Sequence, residues 1–245
     1  MDQPFQSQRN RLLELLPAND FARLRQQLDE VPLDYKFELY RAGKPIPFVY
    51  FPLTGVASIV NTMMNGAAAE VGTVGNEGIV GLPIILGDTV APNDVYVQVP
   101  GAGLRMPASA FREALEGSST MRNVMLRYIH ALFNQIAQTA ACNSFHTIEQ
   151  RCCRWLLMTH DRVLSDQFSL TQEFLGMMLG VRRTSITLTA NHLKRQEFIK
   201  YSRGHVTILD RPGLERRSCE CYAVSKREFD RLLGPPHGAA AGRHG

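Results

Sequence analysis

Residues 170–193 read LTQEFLGMMLGVRRTSITLTANHL, and the architecture of the chain turns on how this stretch folds. Leu170-Thr171 opens a short helix with Thr171 as its cap and Phe174, Leu175 and Met178 as its buried set. Glu173 falls in the first turn, where a negative charge suits the helix dipole. Gly180 stands where that helix stops, at a position that favours positive φ. A second helix starts near Arg182. Ile186, Thr189 or Ala190, and Leu193 recur at helical spacing and share an inward face, which leaves Arg183, Thr184, Thr187, Leu188 and Asn191 on outer faces. Two short helices joined by a glycine-containing turn are the helix-turn-helix pattern, whose second helix enters a DNA major groove.

Just downstream, Phe198-Ile199-Lys200-Tyr201 and His205–Leu209 flank Ser202-Arg203-Gly204, a hairpin with a basic tip, as a wing would be. Arg182 and Arg183 lie at a helix start, where cations oppose the dipole, so their placement asks for an external anion. A phosphate or a guanine edge supplies one. The candidate DNA-contacting set is Thr171, Arg182, Arg183, Thr184, Ser185, Thr187, Leu188, Asn191, Lys194 and Arg203, with Arg195 and Lys200 nearby. Charge follows the same division. The 245-residue chain has a formal charge of +4, but residues 1–147 carry −2 and residues 148–245 carry +6.

Upstream the character of the chain changes twice. Between about 31 and 108, short runs such as FVYF, GVASIV, AAEVGTV and DVYVQVP alternate with the turn clusters PLTG, MNG, GNEG and LGD. Asn65-Gly66 is a hairpin turn between Val56–Met63 and Ala69–Val74, and such close turns predict an antiparallel sandwich or barrel, not βαβ units. Before this region, roughly residues 8–30, the leucines 12, 13, 15 and 16, then Phe21, Leu24 and Leu28, predict one or two short helices with Asp20 as a cap. After it, Phe111 and Leu115 mark a short helix. A long helix follows, on which Met121, Met125, Tyr128, Ile129, Leu132, Phe133 and Ile136 keep mostly helical steps for about 20 residues, or about 30 Å. That stripe needs a partner. A parallel dimer helix supplies one, with those seven residues as the interface; packing within the chain is the alternative. A further helix over 147–163 places Ile148, Cys152, Trp155 and Leu156 on one face.

With these features the chain resembles the cyclic-AMP receptor/fumarate-nitrate regulator (Crp/Fnr) family of bacterial transcription factors over nearly its whole length. The opening motif carries the resemblance, together with QRCCRWLLMTHDR, YSRGHVTILDR and CECY. The resemblance implies an α+β chain. An antiparallel β-roll of the cyclic-nucleotide-binding type with N-terminal helices would span residues 1–117, a dimerisation helix 118–145, a winged helix-turn-helix 146–233, and a flexible tail 234–245. It also implies a homodimer bound to a palindromic operator on double-stranded DNA and controlled by an effector through the β-roll. The rival is a constitutive DNA-binding factor whose β-roll is only a scaffold. RNA polymerase and an unidentified small-molecule effector are further candidate partners. In the family the recognition helix carries Arg near its start, then commonly Glu, then Arg one turn on. Arg183 matches the first, whereas Thr184 and Leu188 stand at the other two, so the familiar family operator is not expected.

Cyclic AMP is not the expected effector. Its receptors resemble this chain but carry a Gly-Glu pair followed by an Arg-Ala phosphate cassette. Here Gly75-Asn76-Glu77-Gly78 is followed by no such arginine, and no Arg or Lys occurs from 45 to 104. A buried phosphate would lack a positive partner. Glu77 therefore reads as a turn residue. An iron–sulfur cluster is not expected either, because the first cysteine is Cys142. Five cysteines, an odd number, argue for reduced thiols. The Cys219-Glu220-Cys221 pair has no histidine at convincing spacing, so no metal or other cofactor is expected. Paired carboxylates, HExxH, a serine elbow and a phosphate loop are all absent, which argues against an enzyme. The opening MDQPFQSQRNRLLELL has no apolar signal core, and no run approaches the roughly 20 apolar residues that cross a bilayer. A cytoplasmic location is the expectation.

Overall fold

The computed structural model describes residues 10–163 and 165–234; the start of the expected first helix near residue 8 and the expected tail beyond 234 lie outside the described residues. The chain opens with α1 (Arg11–Glu14) and α2 (Ala18–Arg25). Asn10 caps α1 by accepting from the Leu12 and Leu13 amides. Asp20 does not cap α2. Pro17 occupies that position, and Asp20, inside the first turn, accepts a 2.6 Å hydrogen bond from Ser118 Oγ.

The strands β1 (Asp29–Leu33), β2 (Glu38–Tyr40), β3 (Phe48–Pro52), β4 (Val56–Thr62), β5 (Ala68–Val74), β6 (Asp94–Val99) and β7 (Gly101–Pro107) follow, with the single turn α3 (Leu82–Ile85) after β5. They form two antiparallel sheets, β1-β7-β3 and β2-β6-β4-β5. The β4–β5 hairpin turns at Asn65-Gly66, as the sequence predicts. Next come α4 (Ala108–Gly117), α5 (Ser119–Phe145) and α6 (Ile148–Val163), then β8 (Gln167–Ser169), α7 (Gln172–Leu179), α8 (Arg183–Arg195), β9 (Ile199–Ser202), β10 (His205–Ile208), α9 (Arg211–Arg217) and α10 (Cys221–Leu233). The strands β8-β10-β9 make a small third sheet. The class is α+β, with the β domain first and the helix-turn-helix last.

The long helix α5 does not present the expected face outward. Met121, Met125, Tyr128 and Leu132 are buried to 1% or less in the core of the β domain, where Tyr128 Oη donates to the Ile79 carbonyl at 3.2 Å. Ile129 is half-buried and Ile136 packs against that same core, leaving Phe133, 66% exposed, as the one open member of the expected interface. Intrachain packing takes the more apolar stripe because the β sheets offer it a large dry surface. The open side of α5 carries Leu126, His130, Phe133, Ala137 and Ala140, again three or four residues apart. Helix α10 returns along α5, adds Phe229 and Leu233 to the β-domain core, and pairs Asp230 with Arg11 at 2.9 Å.

A second core gathers α6, α7, α8 and the small sheet around Trp155, Phe174, Ile186, Leu193 and Val206, and it also takes in Val56, Val60 and Val99 of the β domain. The two domains thus share an apolar boundary. Within it the ring of Phe174 meets Tyr96 edge-on at 6.1 Å, and Glu70 accepts from Ser58 Oγ at 2.7 Å and from Trp155 Nε1 at 3.1 Å. Burial pushes the Glu70 carboxyl up to about 7, against the pull of those two hydrogen bonds. A raised carboxylate pKa means the folded state holds a proton that the unfolded chain releases. Stability from this group is therefore greatest below its ordinary range and falls as pH rises toward 7. Glu70→Gln is expected to flatten that fall and to add about 2 kcal/mol at pH 8, less than the full shift because Glu70 is only half-buried. Urea unfolding followed through the fluorescence of the single tryptophan, Trp155, between pH 5 and 8 measures it.

Candidate nucleic-acid interface

Three short pieces build this surface: the start of α7, the length of α8, and the β9–β10 turn. Thr171 is the N-cap of α7 and accepts from the Phe174 amide at 3.1 Å. The helix ends at Gly180, whose φ of 61° is left-handed and carries no Cβ strain in glycine. The Gly180 and Val181 amides then donate back to the Met177 and Gly176 carbonyls at 3.1 and 2.9 Å, a C-terminal cap that turns the chain into α8. Arg151 of α6 adds a guanidinium hydrogen bond to the Leu179 carbonyl. That cap lies outside the sequence reading, because it comes from a residue distant in the chain.

Helix α8 buries Ile186, Ala190 and Leu193 as its periodicity predicts. Arg182 is its N-cap without any side-chain capping bond, Arg183 follows in the first turn, and no acid stands there. Arg182, Arg183, Thr184, Leu188, Asn191 and Lys194 are exposed, and Ser185 is half-buried. Leu188, 73% exposed, is an apolar group on an otherwise polar face. Thr187 points elsewhere: its Oγ1 lies 2.8 Å from Gln172 Oε1 and 3.1 Å from the Arg183 carbonyl, so its proton serves to fasten α8 to α7. Among the described residues, no carboxylate forms an ion pair with Arg182, Arg183, Lys194 or Arg203.

The wing is tied to the same edge. Arg203 and Gly204 occupy the turn with φ of 49° and 78°, the two positive values a tight hairpin turn requires. The Leu170 amide donates to the Gly204 carbonyl at 2.7 Å, and Tyr201 Oη donates to the Leu170 carbonyl at 2.8 Å. The wing tip is thereby pinned beside Thr171. Burial pushes the Tyr201 phenol up to about 12, and the Arg183 charge works against the shift. The surface is a basic edge whose cations have no ion-paired carboxylate among the described residues, with Glu173 the one acid in the first turn of α7.

Residues 150–217 match the family model of the Crp-like helix-turn-helix domain, and residues 38–118 match that of the cyclic nucleotide-binding domain, together more than half of the chain. The chain belongs to the Crp/Fnr family of DNA-binding transcription regulators. The fold of this Crp/Fnr regulator is similar to that of FixK2 from Bradyrhizobium japonicum, with a TM-score of 0.67 at 13% identity over 78% of this chain and 98% of that one. It is also similar to a Crp-family transcriptional regulator from Thermus thermophilus (TM-score 0.62, 17% identity, 77% and 96% covered). A third similar fold is the c-di-GMP responsive global regulator of Xanthomonas campestris (TM-score 0.63, 12% identity, 79% and 100% covered). No curated protein matches the chain by sequence.

In this Crp/Fnr regulator the Gly75–Gly78 loop of the β domain is closed by the DNA-binding domain. Arg162 of α6 donates from Nε and Nη2 to Glu77 Oε1 at 2.9 and 2.8 Å, and both side chains are nearly sealed from water, at 8% and 11% exposure. Its remaining donors reach the Met158 carbonyl at 2.8 Å and Gln135 Oε1 of α5 at 3.2 Å. Burial disfavours the Arg162 charge, but Glu77 more than offsets this and the guanidinium pKa ends raised. Gly75 is small for a packing reason: a Cβ there would lie 2.5 Å from Arg162 Cδ. Arg162 is thus a buried partner that sequence spacing did not reveal, and Glu77 is more than a turn residue. Arg162→Met, which strands Glu77, is expected to cost about 3–5 kcal/mol. The double change with Glu77→Gln should recover most of that loss in urea titrations. A double variant as unstable as the single one would show that the pair does not act as a unit.

Proposed function

We propose that this regulator acts as a homodimer whose two α8 helices read a palindromic operator, with Arg183 reading a base edge and Arg182, Lys194 and Arg203 holding phosphates. The observation that carries this reading is the start of α8, where two exposed guanidiniums and uncapped amides face outward with no carboxylate partner among the described residues. An anion relieves both the charge and the dipole, and the DNA backbone supplies anions. Thr184, Asn191 and Leu188 fit the groove floor, with Leu188 suited to a thymine methyl. The proposed seam for the second copy is the open side of α5 around Phe133. It would set two half-sites about 34–36 Å apart. A bacterial regulator that reads chromosomal DNA works in the cytoplasm. No helix among the described residues is long and apolar enough to cross a membrane.

The proposal extends to the β domain, which we infer works without cyclic AMP. Glu77 is engaged by Arg162, and the hollow beside Tyr40, Leu82 and Leu132 encloses about 40 Å³, too little for a nucleotide. An effector of another kind would act by favouring one placement of the DNA-binding domains over others. The closed clamp favours a second reading, in which the β domain is a scaffold and DNA binding is constitutive.

Purified, ligand-free protein presented with random DNA separates these readings: selection of a palindrome supports the constitutive form, and binding only with an added metabolite supports effector control. Operator affinity should fall linearly in log–log terms with salt. Arg183→Ala should lower operator affinity at least tenfold while leaving the dimer intact, and unchanged affinity would mean that α8 is not the reading helix. Phe133→Glu, at an exposed position, should yield a folded monomer by sedimentation. A dimer that survives this change would place the seam elsewhere.

A further inference from the structure

The end of α5 and the start of α10 meet around a cluster of sulfur atoms that belongs to neither hydrophobic core. Cys142, Cys219 and Cys221 are each 3% exposed or less and form a group of their own. His146, at the C-terminal cap of α5, stands one turn beyond Cys142 on the same helix face. Cys142 Sγ lies 3.5 Å from Cys219 Sγ, Cys221 Sγ lies 3.5 Å from His146 Nδ1, and the four donor atoms all fall within 4.8 Å of one another. We propose that Cys142, His146, Cys219 and Cys221 form a closed, structural zinc(II) site.

Donor number and type come first. Three thiols and one imidazole are a complete tetrahedral set for zinc, with no position left over for a substrate. The spacing agrees: zinc–sulfur bonds of ~2.3 Å place tetrahedral sulfurs roughly 3.8 Å apart. The wider separations in the cluster need only side-chain rotation to close. A disulfide would require the two sulfurs to approach to ~2.05 Å, and it would leave Cys221 and His146 unexplained.

The surroundings are those of a metal ligand set. His146 Nε2 lies 3.2 Å from Glu220 Oε2, so a proton on Nε2 donates to the carboxylate and the Nδ1 lone pair faces the sulfurs. Gln138 Nε2 donates to Cys221 Sγ at 3.0 Å, a contact that suits a thiolate acceptor. On binding, the three thiol protons pass to water and no electron is transferred. The loaded site, a divalent ion with three thiolates and a neutral imidazole, carries one net negative charge. Arg151 and Arg154 both lie close enough to act electrostatically on Cys142 and balance it.

The site would tie the last turns of the long helix to the segment between α9 and α10, which leads out of the DNA-binding domain. A zinc ion there would limit how far that domain swings from α5, independently of the Arg162–Glu77 clamp.

The test uses the full chain, expressed without a polyhistidine tag in zinc-supplemented medium and dialysed against metal-free buffer. Elemental analysis should find one zinc per chain. Replacement by cobalt(II) should give intense tetrahedral d–d bands with sulfur-to-cobalt charge transfer. Cys219→Ser and His146→Ala should abolish the stoichiometry, whereas Cys153→Ala, a buried thiol outside the cluster, should keep it. Wild-type chain without zinc and with freely titratable thiols would overturn the proposal. So would a Cys142–Cys219 disulfide in the unreduced protein, or a Cys219→Ser variant that still binds one zinc.

Discussion

A buried glutamate of the β domain and a buried arginine of the DNA-binding domain meet across the boundary between the two. Removing two charges from water costs several kcal/mol each, and their attraction repays this only with near-ideal geometry and no polar atom left over. The Glu77–Arg162 pair meets part of this demand, all of it through Glu77 Oε1. Two guanidinium nitrogens converge on one carboxylate oxygen, the Gly75 amide adds a third donor to it, and the rest of Arg162 reaches Met158 and Gln135. The β domain, the long helix and the first helix of the DNA-binding domain each supply one group. If any of the three moved alone, it would strand a polar group.

The remainder of the domain boundary behaves differently. Phe174, Tyr96 and Tyr35 give it apolar area, which tolerates sliding, while Glu70 places one polar group there whose proton affinity burial has raised. Directional contacts fix the register of the boundary and apolar area supplies its strength. Helix α5 serves both domains. One stripe completes the β-domain core, its middle supplies Gln135 to the clamp, and its far end brings Cys142 and His146 to the cysteines near α10.

Ion pairing divides the cations of residues 148–245. Arg162, Arg211 and Arg217 have carboxylate partners, whereas Arg182, Arg183, Lys194 and Arg203 face outward along one edge. The +6 of residues 148–245 therefore includes paired and unpaired cations, and four of the unpaired ones lie on the surface proposed to meet DNA. Thr187 shows the limit of reading exposure from periodicity: it sits on an outer face by spacing, yet its hydroxyl fastens α8 to α7.

Local physics wrote the helix-turn-helix into the sequence. The Thr171 cap, the Gly180 turn, the inward Ile186–Ala190–Leu193 face and the Arg203-Gly204 tip all depend on neighbours within a few residues, and all appear where the pattern places them. The antiparallel β domain was legible for the same reason. What only the tertiary structure decided were choices between partners distant in the chain. Periodicity could reveal the apolar stripe of α5 but not which surface would cover it, and the β sheets did so before any second copy could. Glu77 looked like a turn residue because its partner lies 85 positions away, and the CxC pair stood alone in the sequence because His146 and Cys142, which the fold brings beside it, stand on another element. Sequence spacing encodes what backbone geometry brings together over a turn or two; burial of charge and convergence of distant side chains are settled only when the chain has closed on itself.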